Sequence, residues 1–567
     1  MDRVDLMDRM DVMDWSNRST LSMPSTSFTS QERFRPGFGL RRTLLGLGCL
    51  VMAACSGGGP RADLVVLNGA EPESLDPAVI TGQIEERAVL SLFEGLTRFN
   101  QEGVPEPGCA ESWQISPDGK TYTFKLRPTA KWSNGQPVTA NDFLESWKRV
   151  LEPATAADYA YLLYPIRNAE AFNEGKESDF SAVGIKAPDP QTLVVELTNP
   201  TPYFLDLCAT AFAYPPVYLP GVNKYGDDWI KPGKLVNNGA FVLEDWELNY
   251  RIRLRRNPEY WDHANVRLNT VDLLPIDNSV TAYNFYASGV ADLILDKGLT
   301  PPSLIPELKL RPDFHAAPFL GNYFIRFNTT RSPFNDVRVR QAFCLAIDRD
   351  RLVTKITQAG EHPAYSFTPP DTGHGYEPPR ILANDPNRAR ALLAEAGYPD
   401  GKGFPTVSYL YDNKKLNEDL AVEIQSMLAD VLHVRVQLQK QEWKVYLNSM
   451  NRLDYDFCRS SWVADYNDPN TFLDCFLTGG GNNRTGWGDK EYDALIDQTR
   501  NELDRNRRFQ IFADAENRLL NVGTPICPLY YYLGIQIYDD KKFGGIQPNL
   551  LDEHPFRVMY RKSMPGT

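Results

Sequence analysis

From about residue 64 onward, the hydrophobic positions follow two alternating periods. Residues 64–67 form a short apolar run that predicts a buried strand. Apolar side chains stand at every second position in residues 122–126, 251–255 and 434–439. This period of two is typical of strands that bury one face, so each segment is predicted to be a strand.

Helical patterns lie between these strands. Thr139 and Asp142 have the spacing of a capping box, and apolar residues then recur at helical spacing. Asp385 precedes a proline and predicts a helix start, while Gly397 predicts the end of that helix. Apolar residues in the segment 420–431 share one helical face. Strands and helices that alternate in this way predict an α/β protein with mixed β-sheets flanked by helices and more than one lobe.

Composition excludes some classes of function. The chain has 567 residues, 60 Lys and Arg against 73 Asp and Glu, and a net charge of −13. A nucleic-acid-binding protein needs clustered cations, so no nucleic-acid partner is expected. A hydrophobic fraction of 42% and a charged fraction of 23% are those of a globular protein that buries a large core.

The first 54 residues differ from the rest. Arg41 and Arg42 precede an apolar run at residues 44–54, which is too short to span a bilayer and is typical of a secretory signal peptide. Cys55 follows small residues in the manner of a bacterial lipobox and is predicted to be lipidated. Residues 55–60 are rich in glycine and predict a flexible tether.

No enzyme motif emerges from the sequence. The six histidines are scattered singly without the spacing of metal ligands, and no cysteine pair has the C-x-x-C spacing. Several cysteines lie in apolar runs, which favours buried free thiols. We therefore expect no catalytic residue, metal or cofactor.

One carboxylate stands out in the aromatic segment 459–469. Asp465 lies between Ala464 and Tyr466, shortly after Trp462. An ionised carboxylate in apolar surroundings is costly unless a cation pairs with it. The residues leave two sources open for that cation, an internal Lys or Arg and the ammonium of a ligand.

The chain resembles the oligopeptide-binding proteins of bacterial ABC importers, in family 5 of the extracytoplasmic solute-binding proteins. The resemblance runs from about Leu64 to the C-terminus. Its evidence is a set of blocks in family order, at residues 73–77, 92–96, 116–120, 132–135, 237–241, 333–340, 392–398 and 462–469, together with Trp443.

The resemblance implies a two-lobed periplasmic-binding-protein clamshell, similar to type II, with an additional subdomain. Residues 1–54 are the leader. Lobe I is then discontinuous, with residues 61–93, 225–319 and 533–567; the extra subdomain is 94–224 and lobe II is 320–532. In this family an extended peptide lies in the cleft between the lobes, held largely by main-chain hydrogen bonds.

The resemblance also assigns roles to particular residues. Asp465 matches the residue that pairs with the peptide α-ammonium, and Arg459 matches one that takes the peptide carboxylate. Trp462 and Trp443 match pocket-lining tryptophans, and Tyr159 matches a cleft tyrosine, a role for which Tyr161 competes. The implied peptide-binding positions are Asp465, Trp462, Trp443, Arg459, Tyr159, Gly82, Gln83, Ser461 and Val463.

Several positions depart from the family pattern. At two further positions the family has a cation that binds the peptide carboxylate, and this chain has Thr357 and Asn417 there. At the cleft entrance, where the family has an acidic residue, this chain has Thr81. The loss of these two cations implies a narrower preference for peptide length, or a ligand that has no carboxylate at the distance the cations would reach. Some relatives carry a disulfide at the positions of Gly321 and Val463, so none is expected there.

These observations predict a monomeric, lipid-anchored, exported binding protein rather than an enzyme. It would lie on the periplasmic or cell-surface side, attached to the membrane through Cys55, and would deliver short peptides to the transmembrane subunits of an ABC permease. Two alternatives remain open, a binder of a dipeptide, murein peptide or metal chelate on the same fold, and a peptide-sensing lipoprotein.

Overall fold

The computed structural model describes residues 60–80 and 82–563, without the side chains of residues 443 and 444. The predicted leader and the lipidation site Cys55 lie outside these residues, as does Thr81, so those predictions stay predictions. Residues from Ala62 onward form one compact unit. No helix in the described ranges is long and apolar enough to cross a membrane.

The strands are numbered in chain order. They are β1 (Leu64–Leu67), β2 (Thr97–Phe99), β3 (Pro105–Pro107), β4 (Ala110–Ile115), β5 (Thr121–Leu126), β6 (Ile185–Asp189), β7 (Thr192–Glu196), β8 (Phe241–Glu247), β9 (Arg251–Arg256), β10 (Thr270–Leu274), β11 (Leu293–Ile294), β12 (Phe314–Phe327), β13 (His362–Pro363), β14 (Val407–Asp412), β15 (Val436–Gln441), β16 (Phe457–Val463), β17 (Ile526–Tyr538), β18 (Phe543–Gly544) and β19 (Tyr560–Arg561).

The α-helices are numbered in the same way. They are α1 (Gln83–Leu92), α2 (Ala140–Leu151), α3 (Ala169–Asn173), α4 (Phe204–Leu207), α5 (Leu219–Tyr225), α6 (Ser279–Ala287), α7 (Ile305–Leu308), α8 (Val337–Ala346), α9 (Arg349–Leu352), α10 (Pro386–Glu395), α11 (Lys415–Leu432), α12 (Trp443–Asn451), α13 (Asn470–Leu473), α14 (Lys490–Thr499) and α15 (Arg505–Asn517).

A large mixed sheet runs through the unit. Its strand order is β15-β14-β16-β12-β17-β11-β1-β10-β9-β8, and β13 pairs with β17 beside this path. A separate antiparallel sheet, β4-β5-β7-β6, comes from residues 110–196. The mixture of parallel and antiparallel pairs agrees with the mixed sheets predicted from the sequence.

Two long strands, β12 and β17, join the halves of the large sheet. They pair from Phe314 to Pro318 and again from Asn322 to Arg326, with a shift of register between these two stretches. The half of the sheet that contains β14, β15 and β16 is attached through β12, and the half that contains β1 is attached through β17. The register shift therefore lies where the two halves meet.

The hydrophobic core is divided in the same way. One cluster is built mainly from residues 64–295 and includes Leu64, Phe143 and Trp147. Another is built from residues 323–530 around Phe343 and Phe457. Because each half of the large sheet has its own buried cluster, the halves have separate cores.

The strongest sequence patterns are confirmed. The run at 64–67 is β1, and the alternating segment at 122–126 lies in β5 with its apolar residues buried. The face predicted at 420–431 lies in α11. The strand predicted at 434–439 begins two residues later, at Val436. The cysteines of the described residues are buried and unbridged, as predicted.

Strand β9 shows where alternation alone fails. Its pattern assigns Arg253 to the polar face, yet this residue is buried. Both of its side-chain contacts to Asp272, on the neighbouring strand β10, measure 2.7 Å. A paired carboxylate makes burial of the guanidinium tolerable, and a local pattern cannot reveal a partner on another strand.

The predicted capping box opens α2. The backbone N–H of Thr139 donates to Asp142 Oδ2 at 2.7 Å, and the Thr139 hydroxyl reaches the same oxygen at 2.8 Å. We expect Asp142→Ala to lower the free energy of unfolding by about 1 kcal/mol, because an N-terminal donor loses its acceptor. Urea denaturation measures this loss. Asn141→Ala, an exposed change in the same turn, should change stability by less than about 0.5 kcal/mol, and an equal loss in both would contradict the capping role.

Candidate ligand-binding site

The aromatic segment singled out in the sequence forms β16 and the loop that follows it. Strand β16 pairs with β12 from Gly321 to Phe327, and residues 464–469 then lead into α13. We call residues 464–469 the site loop. The backbone N–H of Ala464 donates to Leu320 O at 2.8 Å, and that of Asp465 donates to Thr471 Oγ1 at 3.2 Å. The backbone of Asp465 is therefore held at both sides.

Three further contacts fix the site loop. The ring of Tyr466 stacks on that of Tyr203, with ring centres 4.1 Å apart. Asn467 Oδ1 accepts a bond from the backbone N–H of Gly373 at 2.7 Å. Asp468 receives two bonds from the guanidinium of Arg508, at 2.6 and 2.8 Å. A loop tied down in this way presents its side chains in a preorganised position.

Asp465 lacks a cationic partner in the part of the chain that the structure describes. The side chains that act on its charge are Tyr161, whose hydroxyl donates to Oδ2 at 3.2 Å, and Glu86. Burial raises the pKa of Asp465 to about 7; the bond from Tyr161 opposes this rise and the charge of Glu86 adds to it. The sequence left open whether an internal Lys or Arg pairs with Asp465, and none among the described residues does.

The tyrosine that contacts Asp465 is Tyr161. The prediction favoured Tyr159, which instead stacks on Phe212 at a ring-centre distance of 4.9 Å. Tyr159 stays close, since its ring lies 5.5 Å from that of Tyr161, and burial followed by the charge of Asp465 raises its pKa. The two positions are separated by one residue, and the sequence offered no signal to decide between them.

Trp462 lies opposite Asn322 in the β12–β16 ladder, beside the cluster that contains Phe324. Its indole Nε1 is buried and has no acceptor among the described residues. Val463 is partly exposed and stands opposite Gly321, where a Cβ would come within 2.7 Å of the ring of Tyr532. Trp443 begins α12, but its side chain lies outside the described residues.

Arg459 is bound to an acidic residue that the sequence analysis did not identify. Its Nε donates to Asp412 Oδ1 at 2.7 Å, and Nη1 donates to Ser461 Oγ at 3.1 Å. Asp412 is 1% exposed and also accepts a bond from Asn417 Nδ2 at 2.5 Å. The charge of Arg459 is thus offset inside the protein. Asn417, which stands where the family has a cation, belongs to the same network.

The remaining predicted positions lie at other elements. Thr357 stands at the other position where the family has a cation, and its hydroxyl donates to Glu361 Oε2 at 2.7 Å. Gly82 is the N-cap of α1, and Gln83 is its exposed first residue. One turn further on, Glu86 acts on the charge of Asp465, which brings the start of α1 into the electrostatic surroundings of the site. The position of Glu86, four residues after Gly82, is the signal that could have identified it.

Comparison with known proteins shows the family of the chain. Residues 104–484 match the model of the bacterial extracellular solute-binding proteins, family 5 Middle. The chain is 40% identical to the periplasmic oligopeptide-binding protein OppA of Salmonella typhimurium over 84% of this chain and 88% of that protein. It is 35% identical to the oligopeptide-binding protein OppA of Bacillus subtilis over 92% of this chain and 98% of that one.

Solved structures show the same fold. The murein tripeptide-binding protein MppA of Escherichia coli superposes with a TM-score of 0.78 and 35% identity, covering 89% of this chain and 99% of its own. OppA of Haemophilus influenzae, in complex with RPPGFSPFR, superposes with a TM-score of 0.76 and 34% identity, covering 88% and 98%. The two-lobed periplasmic-binding-protein fold is confirmed, and proteins of this kind bind solutes rather than catalyse reactions. The chain belongs to family 5 of the bacterial extracellular solute-binding proteins.

Proposed function

We propose that this protein captures short peptides with a free α-ammonium group and delivers them to the transmembrane subunits of an ABC permease. The proposal includes export and attachment to the membrane through a lipid on Cys55. It is supported by relatives whose names state oligopeptide binding, and by a Borrelia burgdorferi neighbour, 32% identical, that is described as part of an oligopeptide ABC transporter.

The observation that carries the proposal is the uncompensated carboxylate of Asp465. A carboxylate in this setting gains from a cation that arrives with the ligand, because the attraction is strong where water is scarce. The α-ammonium is common to all unblocked peptides, so an anchor of this kind selects for peptides without reading their sequence. The buried Nε1 of Trp462, which lacks an acceptor among the described residues, is a further candidate to donate to the ligand.

We further propose that β12 and β17 form the hinge of the clamshell. The predicted boundaries, 319/320 and 532/533, coincide with the shift of register after Pro318 and with the pairing of Pro318 with Leu533. Residues 61–93, 225–319 and 533–567 would then move as lobe I against lobe II at 320–532, with 94–224 as the extra subdomain. Small changes at such strand ends suffice for closure over a ligand.

Arg459 has a smaller proposed role. It remains the candidate for the peptide carboxylate, but Asp412 already neutralises much of its charge. We therefore expect the carboxylate end to contribute less to affinity than the ammonium end. This fits a ligand preference set mainly by Asp465.

Binding of matched peptides tests the proposed function. Di- to pentapeptides are first screened by thermal shift, and calorimetry then compares trialanine with N-acetyl-trialanine and trialanine amide. N-acetylation should weaken binding by about 30-fold or more, since loss of one partner of a desolvated charge pair costs about 2–5 kcal/mol. Amidation should have the smaller effect. Equal affinity for the free and acetylated peptides would contradict the ammonium anchor, and failure of all peptides to bind would contradict the function.

The affinity for trialanine should also fall as the pH is lowered. The folded-state pKa of Asp465 is raised to about 7 from 3.8, so this group protonates between pH 7 and pH 5.5, where the peptide ammonium stays charged. Because the anchor must be ionised, we expect an affinity loss of about tenfold over this range. Calorimetry at the two pH values measures it. Asp465→Asn should remove the pH dependence. A wild-type affinity that is constant over this pH range would contradict the role of ionised Asp465 in binding.

A further inference from the structure

A lysine ammonium lies against β17, close to the place where the two halves of the large sheet meet. Lys297 follows β11, the strand that pairs with β17, and its Nζ lies 3.9 Å from the centre of the Tyr532 ring. Among the described residues, Lys297 forms no ion pair and donates no hydrogen bond from Nζ. The three N–H groups of this ammonium can therefore meet an acceptor that arrives from outside.

Tyr532 connects this ammonium to the predicted peptide-binding positions. A Cβ on Gly321 would come within 2.7 Å of the Tyr532 ring, and Gly321 lies opposite Val463 in the β12–β16 ladder. The ring therefore contacts Lys297 and also approaches the ladder at Val463, two residues before Asp465 in the chain. Lys297 is thus placed beside the candidate ligand-binding site.

Glu361 links Lys297 to one of the two positions where the family has a cation. Its charge is the first among those that act on Lys297. Glu361 Oε2 accepts a bond from the hydroxyl of Thr357 at 2.7 Å and one from the backbone N–H of Ala359 at 3.1 Å. The chain has an uncharged residue at position 357 and a lysine from another segment that acts on the same carboxylate. Lys297 therefore supplies a positive charge near the place where the family's cation is missing.

The surrounding carboxylates do not fully compensate the charge of Lys297. Burial lowers the pKa of Lys297, and the charges that oppose this lowering belong to Glu361, Asp296 and Asp552. These carboxylates are also bound elsewhere. Asp296 Oδ1 accepts a bond from the backbone N–H of Gly298 at 2.7 Å, and Asp552 Oδ1 accepts one from Gln536 Nε2 at 2.6 Å. An ammonium in these surroundings gains from an anion that arrives with a ligand.

Two other cations on this side of the site are less suited to a ligand carboxylate. Arg459, whose charge acts on the hydroxyl of Tyr532, is already bound to Asp412 at 2.7 Å. Lys414, whose charge acts on Lys297, is exposed at the start of α11, where water and salt screen it. Lys297 is partly buried, so an ion pair that it forms with a ligand is screened less.

We propose that Lys297 binds the C-terminal carboxylate of the peptide and so takes the place of the cations that are missing at positions 357 and 417. The inference rests on the proposed peptide-binding function and names the residue that recognises the second end of the ligand. The α-ammonium pairs with Asp465 and the carboxylate with Lys297, so the peptide is held at both ends. Because Lys297 is partly exposed, the carboxylate end contributes less to affinity than the ammonium end.

Calorimetry of trialanine and trialanine amide, with the wild-type protein and with Lys297→Met, tests this inference. Wild-type protein should bind trialanine about fivefold more tightly than the amide, because amidation removes the charge that Lys297 meets. In Lys297→Met, which keeps an unbranched side chain, this ratio should fall below about twofold. Equal wild-type affinities, or an unchanged ratio in Lys297→Met, overturn the inference while leaving the peptide-binding function standing. If neither peptide binds the wild-type protein, the proposed function fails as well.

Lys414→Met is the matched control for Lys297→Met. It removes the same charge from an exposed lysine whose charge acts on Lys297, and it should keep the wild-type ratio of trialanine to amide affinity. An equal fall of the ratio in Lys414→Met would overturn the assignment to Lys297.

Chemical labelling of the wild-type protein tests the same residue without a variant. Acetylation by an N-hydroxysuccinimide ester is followed at Lys297 by mass spectrometry, with trialanine or trialanine amide at saturating concentration. A paired ammonium is deprotonated less often, so trialanine should slow the labelling of Lys297 at least about threefold more than the amide. Equal protection by the two peptides overturns the inference, even where Lys297→Met fails to fold.

Discussion

Asp465→Asn is expected to weaken the binding of peptides with a free α-ammonium by about 30-fold or more. Asparagine keeps the shape of the side chain but cannot form the charge-assisted pair, and such pairs lose about 2–5 kcal/mol when one partner is removed. N-acetylated peptides should bind both proteins with similar affinity, because they lack the ammonium. Calorimetry of free and acetylated trialanine gives both comparisons.

The same variant should fold at least as well as the wild type. The pKa of Asp465 is higher in the folded protein than its ordinary value of 3.8, so the ionised group opposes folding at pH 8 in the absence of ligand. Asn removes that opposition, and the melting temperature should stay equal or rise. Asp497→Asn, at an exposed site on α14, is the matched control and should change neither affinity nor stability. Unchanged peptide affinity in Asp465→Asn would contradict the anchor.

Arg508→Leu is expected to have the largest effect on stability, a loss of about 3–5 kcal/mol in the free energy of unfolding. The side chains of Arg508 and Asp468 are 5% and 7% exposed, and the pair ties α15 to the site loop. Leucine leaves the Asp468 carboxylate buried without its cation. Urea denaturation measures the loss, and peptide affinity should fall with it because the loop that presents Asp465 loses a support.

A second variant separates the charge effect from simple loss of packing. Asp468→Asn combined with Arg508→Leu removes both charges and should recover part of the lost stability. Arg500→Leu is the matched control, since Arg500 is 41% exposed and its contact to Asp497 is 3.6 Å; its effect should stay below about 1 kcal/mol. A double variant no more stable than Arg508→Leu alone would show that the buried charge is not the cause.

Part of the fold and of the candidate site could be predicted from the sequence. Local patterns predicted β1, β5, α2 and α11 because hydrophobic period and capping residues act within a few positions of the chain. The blocks in family order predicted the fold, and the family comparison confirms it. Asp465 was noticed because a lone carboxylate among aromatic residues is chemically unusual in any fold.

Contacts between distant segments decided the rest. The bond from Tyr161 to Asp465 joins two segments that no local pattern connects, and it decides which tyrosine contacts this carboxylate. The charge of Arg459 is offset by Asp412, which lies 47 residues earlier in the chain. Glu86 and Glu553 line one pocket although they come from near the two ends of the described chain.

The sequence by itself thus predicted several of the elements and the family, and it singled out one carboxylate among aromatic residues. Only the tertiary structure decided which cations and hydroxyls are already engaged, and therefore which charges remain for a ligand. The physical reason is that electrostatic pairing depends on distances of a few ångströms in space, while hydrophobic period and capping depend on neighbours along the chain.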